Sequence, residues 1–283
     1  MQDLLKIIEA KYPSFSKGHK KIADYILTNC NKVAYMTAAK LGETVGVSDS
    51  TVVRFATEIG FEGYPEFLKH LREVVSGKLT SIQRIEITAS AFEKDGILES
   101  VINSDIDKLK KTLLNIDKEV FESAIDTIIS AKTIYIVGVR SSASLSGFLG
   151  FYFNLMFDNV KLIHTNSVSE MFEQIINIDK DDVIIGISFP RYSRRTLNAL
   201  QYAHKCGSKI IALTDSQMSP LTQVADYSLI ARSDMASFAD SLVAPLSLIN
   251  AIIVAIAMRK PQEIANTLEK LENIWDEYEV YDK

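Results

Sequence analysis

Asp182-Val-Ile-Ile-Gly-Ile-Ser-Phe-Pro-Arg-Tyr-Ser-Arg-Arg-Thr196 decides the class of the larger part of the chain. An apolar run of strand length passes into a loop of hydroxyls and cations, and a helical pattern from Thr196 to Lys205 follows. Outward from it, Thr133-Ile-Tyr-Ile-Val137, Val160-Lys-Leu-Ile163, Lys209-Ile-Ile-Ala-Leu213 and Tyr227-Ser-Leu-Ile230 repeat the short run, with a helical stretch from Ala143 to Met156 between the first two. Continuous apolar strands separated by helices predict a parallel sheet covered by helices on both faces, a doubly wound α/β domain. Ligands then belong at the carboxyl ends of the strands.

Two of those ends carry anion chemistry. Gly138-Val-Arg-Ser-Ser-Ala143 joins the first strand to its helix. Serines and exposed helix amides there make a cradle for phosphate or carboxylate, because N–H groups and the helix dipole converge. A tight turn without a ligand is the alternative. The segment is not a GxGxxG, so it carries no dinucleotide fingerprint. The loop after Ile187 adds further hydroxyls and guanidinium groups. Gly138, Arg140, Ser141, Ser142, Ser188, Arg191, Tyr192 and Ser193 are therefore the candidate ligand-binding residues. Charge-assisted hydrogen bonds of this kind contribute about 1.5–3 kcal/mol each.

A chain of 283 residues with 47% hydrophobic and 24% charged residues, 6 Pro and 12 Gly has room for about two domains and is not globally disordered. Its net charge of −5 excludes indiscriminate coating of nucleic acid or an anionic membrane. Up to Thr80, however, 11 Lys and Arg face 9 Asp and Glu, so the amino-terminal part is the one suited to nucleic acid. Two cysteines, Cys30 and Cys206, are too few for a disulfide framework and suggest a reducing compartment. Asp3, Lys6 and Glu9 interrupt the first apolar residues, so no secretory signal is expected and a cytoplasmic location is. Leu242 to Met258 is short for a bilayer and contains Pro245, Ser247 and Asn250, which predicts a buried core helix.

The amino-terminal part is helical throughout. Within Ala38 to Thr57, Leu41 and Val45 are four apart, Val52 and Phe55 three apart, and Gly46 joins the two patterns, with Val47 plugging the corner. Gly42 lies where a second helix must cross closely, and Ser48 is placed as an N-cap. These are the steric demands of a helix-turn-helix, with a dimerising helical hairpin as the alternative. A second helix in the major groove would turn Asp49, Ser50, Val53, Arg54 and Thr57 towards bases, with Ser48 and Thr51 in reach of bases or phosphates. Lys17, His19, Lys20 and Lys21 add positive charge at a helix start, suited to phosphate or simply a solvated face.

Val47-Ser-x-x-Thr-Val-Val-Arg-Phe55 followed by Ile59-Gly-Phe-x-Gly63 closely resembles the amino-terminal domain of RpiR-type bacterial transcription regulators. Asp182 to Leu200, then Ala203-x-x-x-Gly-Ser-Lys-Ile-Ile-Ala-Leu-Thr-Asp-Ser216 and Ser219-Pro-Leu, resembles a SIS (sugar isomerase) domain, a Rossmann-like phosphosugar-binding fold. The resemblance implies an all-α helix-turn-helix domain followed by an α/β SIS domain, operator DNA and a phosphosugar or sugar-acid effector as partners, and a homodimer or homotetramer. The domains are expected at residues 1–77, for DNA binding, and 107–259, for the effector, with a linker and connecting helix at 78–106 and a carboxyl-terminal helix at 260–283. The family's loop commonly reads Ser-x-Ser-Gly-x-Thr. Ser188 and Ser193 match its ends, while Pro190 and Arg191 replace the central Ser-Gly. Arg191 is expected to bind the anion directly, or else to point to solvent.

Glu170 and Glu173 follow the second strand near His164, but no base-orienter pair surrounds them, so catalysis is not expected. A phosphosugar isomerase and a DNA-independent sugar-phosphate sensor are the rival readings. His19, His70, His164 and His204 show no ligand spacing, and neither a metal nor a cofactor is expected. The apolar stretch Phe238 to Met258 and the helix after Pro261, with Ile264, Leu268, Leu271 and Trp275, are candidates for an interface between copies or for intradomain packing.

Overall fold

The computed structural model describes residues 4–76, 80, 82–85, 96–165, 167–234 and 239–281. The chain divides into two compact units, Met1–Asp95 and Gly96–Lys283.

The first unit holds α1 (Leu4–Lys11), a 3-10 turn (Tyr12–Ser14), α2 (Lys17–Val33), α3 (Ala38–Val45), α4 (Asp49–Ile59) and α5 (Tyr64–Ser76). Ile8, Ile22, Ile26, Leu41, Val52, Phe55, Phe67 and Leu71 close its core. The helix-turn-helix follows from local chemistry. Gly46 ends α3 at φ +72°, a conformation that glycine adopts without steric cost. A Cβ on Gly42 would lie 2.7 Å from the Val47 carbonyl oxygen, so only glycine lets the two helices cross. Thr37 and Ser48 cap α3 and α4, accepting from the amides of Lys40 and Thr51.

The second unit begins with α6 (Ile97–Asn115) and α7 (Lys118–Ser130). It continues through β1 (Ile134–Gly138), α8 (Ser142–Met156), β2 (Val160–Ile163), α9 (Val168–Ile175), β3 (Val183–Ile187) and α10 (Arg194–Lys205), and then β4 (Lys209–Thr214), β5 (Tyr227–Ile230), α11 (Val243–Arg259) and α12 (Pro261–Glu277). The strands pair in parallel in the order β2-β1-β3-β4-β5. Alternation along each strand divides the apolar residues between two layers. Ile134, Ile136, Ile185, Ile187, Ile211 and Leu213 pack against α7, α8 and α11. Tyr135, Val137, Ile184, Ile210 and Ala212 pack against α9 and α10. Strand order reverses between β1 and β3, which opens a crevice at their carboxyl ends.

Three expectations change in detail. Helix α11 starts at Val243 rather than at residue 238, which lies outside the described residues; Leu242 occupies its N-cap position. Of the stretch between Gly77 and Gly96 read as a linker, residues 82–85 form a helical turn, and most of the remainder lies outside the described residues. Helix α6 runs unbroken through residue 106, and its apolar residues Leu98, Ile102, Ile106, Leu113 and Leu114 are exposed while Lys108 and Thr112 are buried. Among the described residues no single helix is long and apolar enough to cross a membrane; α11 and α12 meet that test only as a pair bent by 100°.

Candidate functional site

The outer face of α4 carries the residues expected to meet DNA. Ser48, Asp49, Ser50, Val53, Arg54 and Thr57 are all exposed, while Thr51 is half-buried. Ser48 Oγ lies 2.9 Å from Ser50 Oγ and 2.8 Å from Thr51 Oγ1, so Ser48 and Thr51 serve the cap as well as the surface. Arg54 folds back along its own helix, donating to the Ser50 carbonyl at 3.4 Å through Nε and to Ser50 Oγ at 3.5 Å through Nη2. Bonds this long are weak and readily exchanged for a base or phosphate. The Thr57 hydroxyl donates to the Val53 carbonyl. Lys17 and Lys21 are exposed in the first turns of α2, and the Lys20 ammonium lies 5.6 Å from the centroid of the Tyr12 ring. The Lys21 amine reaches the turn, 3.9 Å from where a Cβ on Gly46 would stand. His19 faces inward instead, buried against Phe15 and Phe55 with Nδ1 2.6 Å from Glu58 Oε2, and so ties α2 to α4.

At the switch point of the second unit, Gly138 of β1 pairs in register with Ile187 of β3, so the two hydroxyl-bearing loops leave the sheet side by side. A Cβ on Gly138 would lie 2.7 Å from the Ser142 carbonyl oxygen, which is why the strand needs glycine where α8 crosses it. Ser141, at the N-cap position of α8, makes no side-chain capping bond, and Ser142 is buried. In the neighbouring loop, Ser188 is buried and its Oγ accepts the Ser193 amide at 3.0 Å. Ser193 Oγ accepts the amides of Arg195 and Thr196 and so caps α10. Both oxygens act as acceptors in these bonds, which leaves each O–H to donate to an anion. Thr196 Oγ1, in the first turn of α10, is buried with no partner among the described residues.

Arg140 and Arg191 are both exposed, and both adopt the left-handed backbone region, at φ +58° and +68°. A side chain there costs about 1–2 kcal/mol that glycine avoids.

The sequence reading missed Asp215, at the carboxyl end of β4. Its carboxylate accepts from the Tyr192 hydroxyl at 3.0 Å and from Thr214 Oγ1 at 3.3 Å. Burial pushes this carboxyl up to about 6, against the opposing pull of the Tyr192 bond and the Arg232 charge. An acid directly after the strand Lys209–Thr214 was the available signal, since it lies at the ligand end of the sheet. Glu170 and Glu173 are exposed, and Glu170 accepts from the Thr165 hydroxyl. Among the described residues no group of three His, Cys, Asp or Glu is placed to hold a metal ion.

Comparison with known proteins agrees with both halves. Residues 2–78 match the helix-turn-helix domain of the rpiR family, and residues 127–255 match the SIS domain. An uncharacterised HTH-type transcriptional regulator of Caldanaerobacter subterraneus subsp. tengcongensis is 26% identical over 280 residues, 97% of each chain. The sugar isomerase domain of an RpiR transcription factor from Sphaerobacter thermophilus superposes with a TM-score of 0.61 at 29% identity, over 63% of this chain and 99% of that one. Vibrio vulnificus NanR, solved with ManNAc-6P, has the same fold over 98% of this chain and 99% of its own, with a TM-score of 0.57 at 20% identity. With an rpiR-family reading head joined to a SIS sheet in one polypeptide, the chain belongs to the RpiR-type transcription regulators.

Proposed function

We propose that this regulator binds operator DNA through α4 and the start of α2, and that a phosphosugar or related sugar acid in the β1/β3 crevice controls that binding. The observation that carries the reading is the pair of loops leaving adjacent strands, with Ser188 and Ser193 presenting O–H groups beside a capped helix. The NanR complex with ManNAc-6P supports it, since a chain of the same two-part fold holds a phosphosugar. The effector acts without being turned over: Glu170 bonds Thr165, and Glu170 and Glu173 are exposed carboxylates rather than an oriented base. Residues 1–77 serve DNA and residues 107–259 serve the effector, in a cytoplasmic homodimer or homotetramer that meets the two half-sites of a palindrome. The ligand shifts DNA affinity only as far as it prefers one conformation over another.

A thermal-shift screen of the full chain against sugar phosphates, amino-sugar phosphates and sugar acids tests this reading, because a ligand that binds only the folded state raises the melting temperature. A hit that Ser188→Ala loses is expected. Conversion of the hit to an isomer, or a panel without any hit, contradicts the proposal.

A further inference from the structure

Asp215 stands beside the loop from Ser188 to Ser193 without belonging to it. Leu213 of β4 lies opposite Ile187 of β3, and its carbonyl accepts the Ser188 amide at 3.1 Å. Two residues further on, the buried carboxylate of Asp215 accepts from the Tyr192 hydroxyl at 3.0 Å. The loop is therefore tied at two points: Ser188 Oγ holds the Ser193 amide from within, and Asp215 holds Tyr192 from the neighbouring strand. Tyr192 directly precedes Ser193, whose Oγ caps α10, so a shift of the tyrosine displaces a hydroxyl offered to the anion. A neutral acceptor would hold Tyr192 without placing an ionisable group out of water. What the acid adds is charge. Burial opposes its ionised form; the bond from Tyr192 and the charge of Arg232 favour it, and Asp234 opposes it. An anion bound at Ser188 and Ser193 brings a further like charge to the same end of the sheet, which again disfavours ionisation.

We infer that Asp215 is a positioning residue of the effector site: through Tyr192 it holds the Ser188–Ser193 loop in its anion-binding shape, and its own charge opposes the anion bound there. This rests on the crevice being the phosphosugar site proposed above. Binding then takes up a proton, and affinity falls as pH rises through the titration of the acid. A protonated carboxyl still offers an oxygen to Tyr192, so the tie itself survives the titration.

Equilibrium dialysis of the full chain against inorganic sulfate at constant ionic strength tests the inference. Sulfate keeps its double charge across the range, so any pH dependence belongs to the protein. Sulfate is expected to bind about fivefold more tightly, or better, at about pH 5 than at about pH 7.5. Asp215→Asn is expected to reduce that ratio to under about twofold while keeping the tighter affinity. Tyr192→Phe and Asp215→Ala are each expected to weaken binding at the lower pH by about fivefold, a loss that Asp215→Asn does not share. A ratio that persists in Asp215→Asn, or unweakened binding by Tyr192→Phe, overturns the inference and leaves the site standing. Sulfate that does not bind, or that Ser188→Ala binds equally well, overturns the site and the inference together.

Discussion

Burial of Asp215 sets up a pH dependence whose sign follows from its direction. Its carboxyl is raised from 3.8 to about 6, so between those values the folded chain holds a proton that the unfolded chain has lost. Stability therefore falls as pH climbs through that interval. Asp215→Asn keeps an acceptor for Tyr192 and removes the ionisation, so it is expected to stabilise the protein by up to about 3 kcal/mol near pH 7.5, with the gain vanishing towards about pH 4. Melting temperatures of the two proteins across that range check it, and a gain independent of pH contradicts it. Gly42→Ala acts through packing instead: its Cβ meets backbone at Val47 and Asp49, atoms that cannot swing away. A loss of about 1–3 kcal/mol is expected in urea denaturation, together with weaker DNA binding. Gly42, Gly46, Ser48 and Gly138 were legible in the sequence because each answers a demand within a few residues. The Tyr192–Asp215 contact was not, since 23 residues and the β3–β4 pairing separate its partners.

Among the elements, α4 presents its chemistry to solvent, and Arg54 is its one cation. Arg54→Ala is expected to weaken operator binding by about 1–3 kcal/mol, with relaxed specificity at one base pair if the guanidinium reads guanine and a uniform loss if it holds phosphate. Anisotropy titrations on an operator and its single-base variants separate the two. Helix α6 has a different task. Its Asp105 accepts from Ser241 Oγ at 2.6 Å, and its Thr112 Oγ1 accepts the Arg232 amide at 2.9 Å. Arg232 also bears electrostatically on Asp215, so the segment after β5 is bonded to the helix that opens the second unit while its charge acts on the acid after β4. Ser241→Ala is expected to leave effector affinity within about twofold while reducing the effector's influence on DNA affinity, because only differential contacts transmit coupling. Titration of effector and DNA against the variant checks this, and an undiminished influence contradicts it. All five strands were legible to within a residue: β1 and β3, buried throughout, leave unbroken apolar runs, and the partly buried edge strands β2 and β5 keep enough apolar residues to show. The exposure of the apolar residues of α6 was not: period three-to-four spacing predicts a helix but does not say what covers it.

At the scale of the molecule, the excess of positive charge lies in the amino-terminal unit proposed to meet DNA, although the chain as a whole carries −5. Leu113 and Leu114 of α6 are 73% and 83% exposed in the single chain, and Met258 of α11 is 76% exposed. Apolar exposure of this kind accompanies association, and a palindromic operator demands two reading heads. Light scattering is therefore expected to give at least twice the 31.6 kDa of one chain. A monomer at micromolar concentration contradicts that expectation. The measurement closest to the central claim is a selection of binding sites from random duplex DNA by the full chain, run with and without the strongest ligand of the thermal-shift screen. The account predicts enrichment of an inverted repeat whose recovery changes with the ligand; recovery of no preferred sequence in either condition would contradict it.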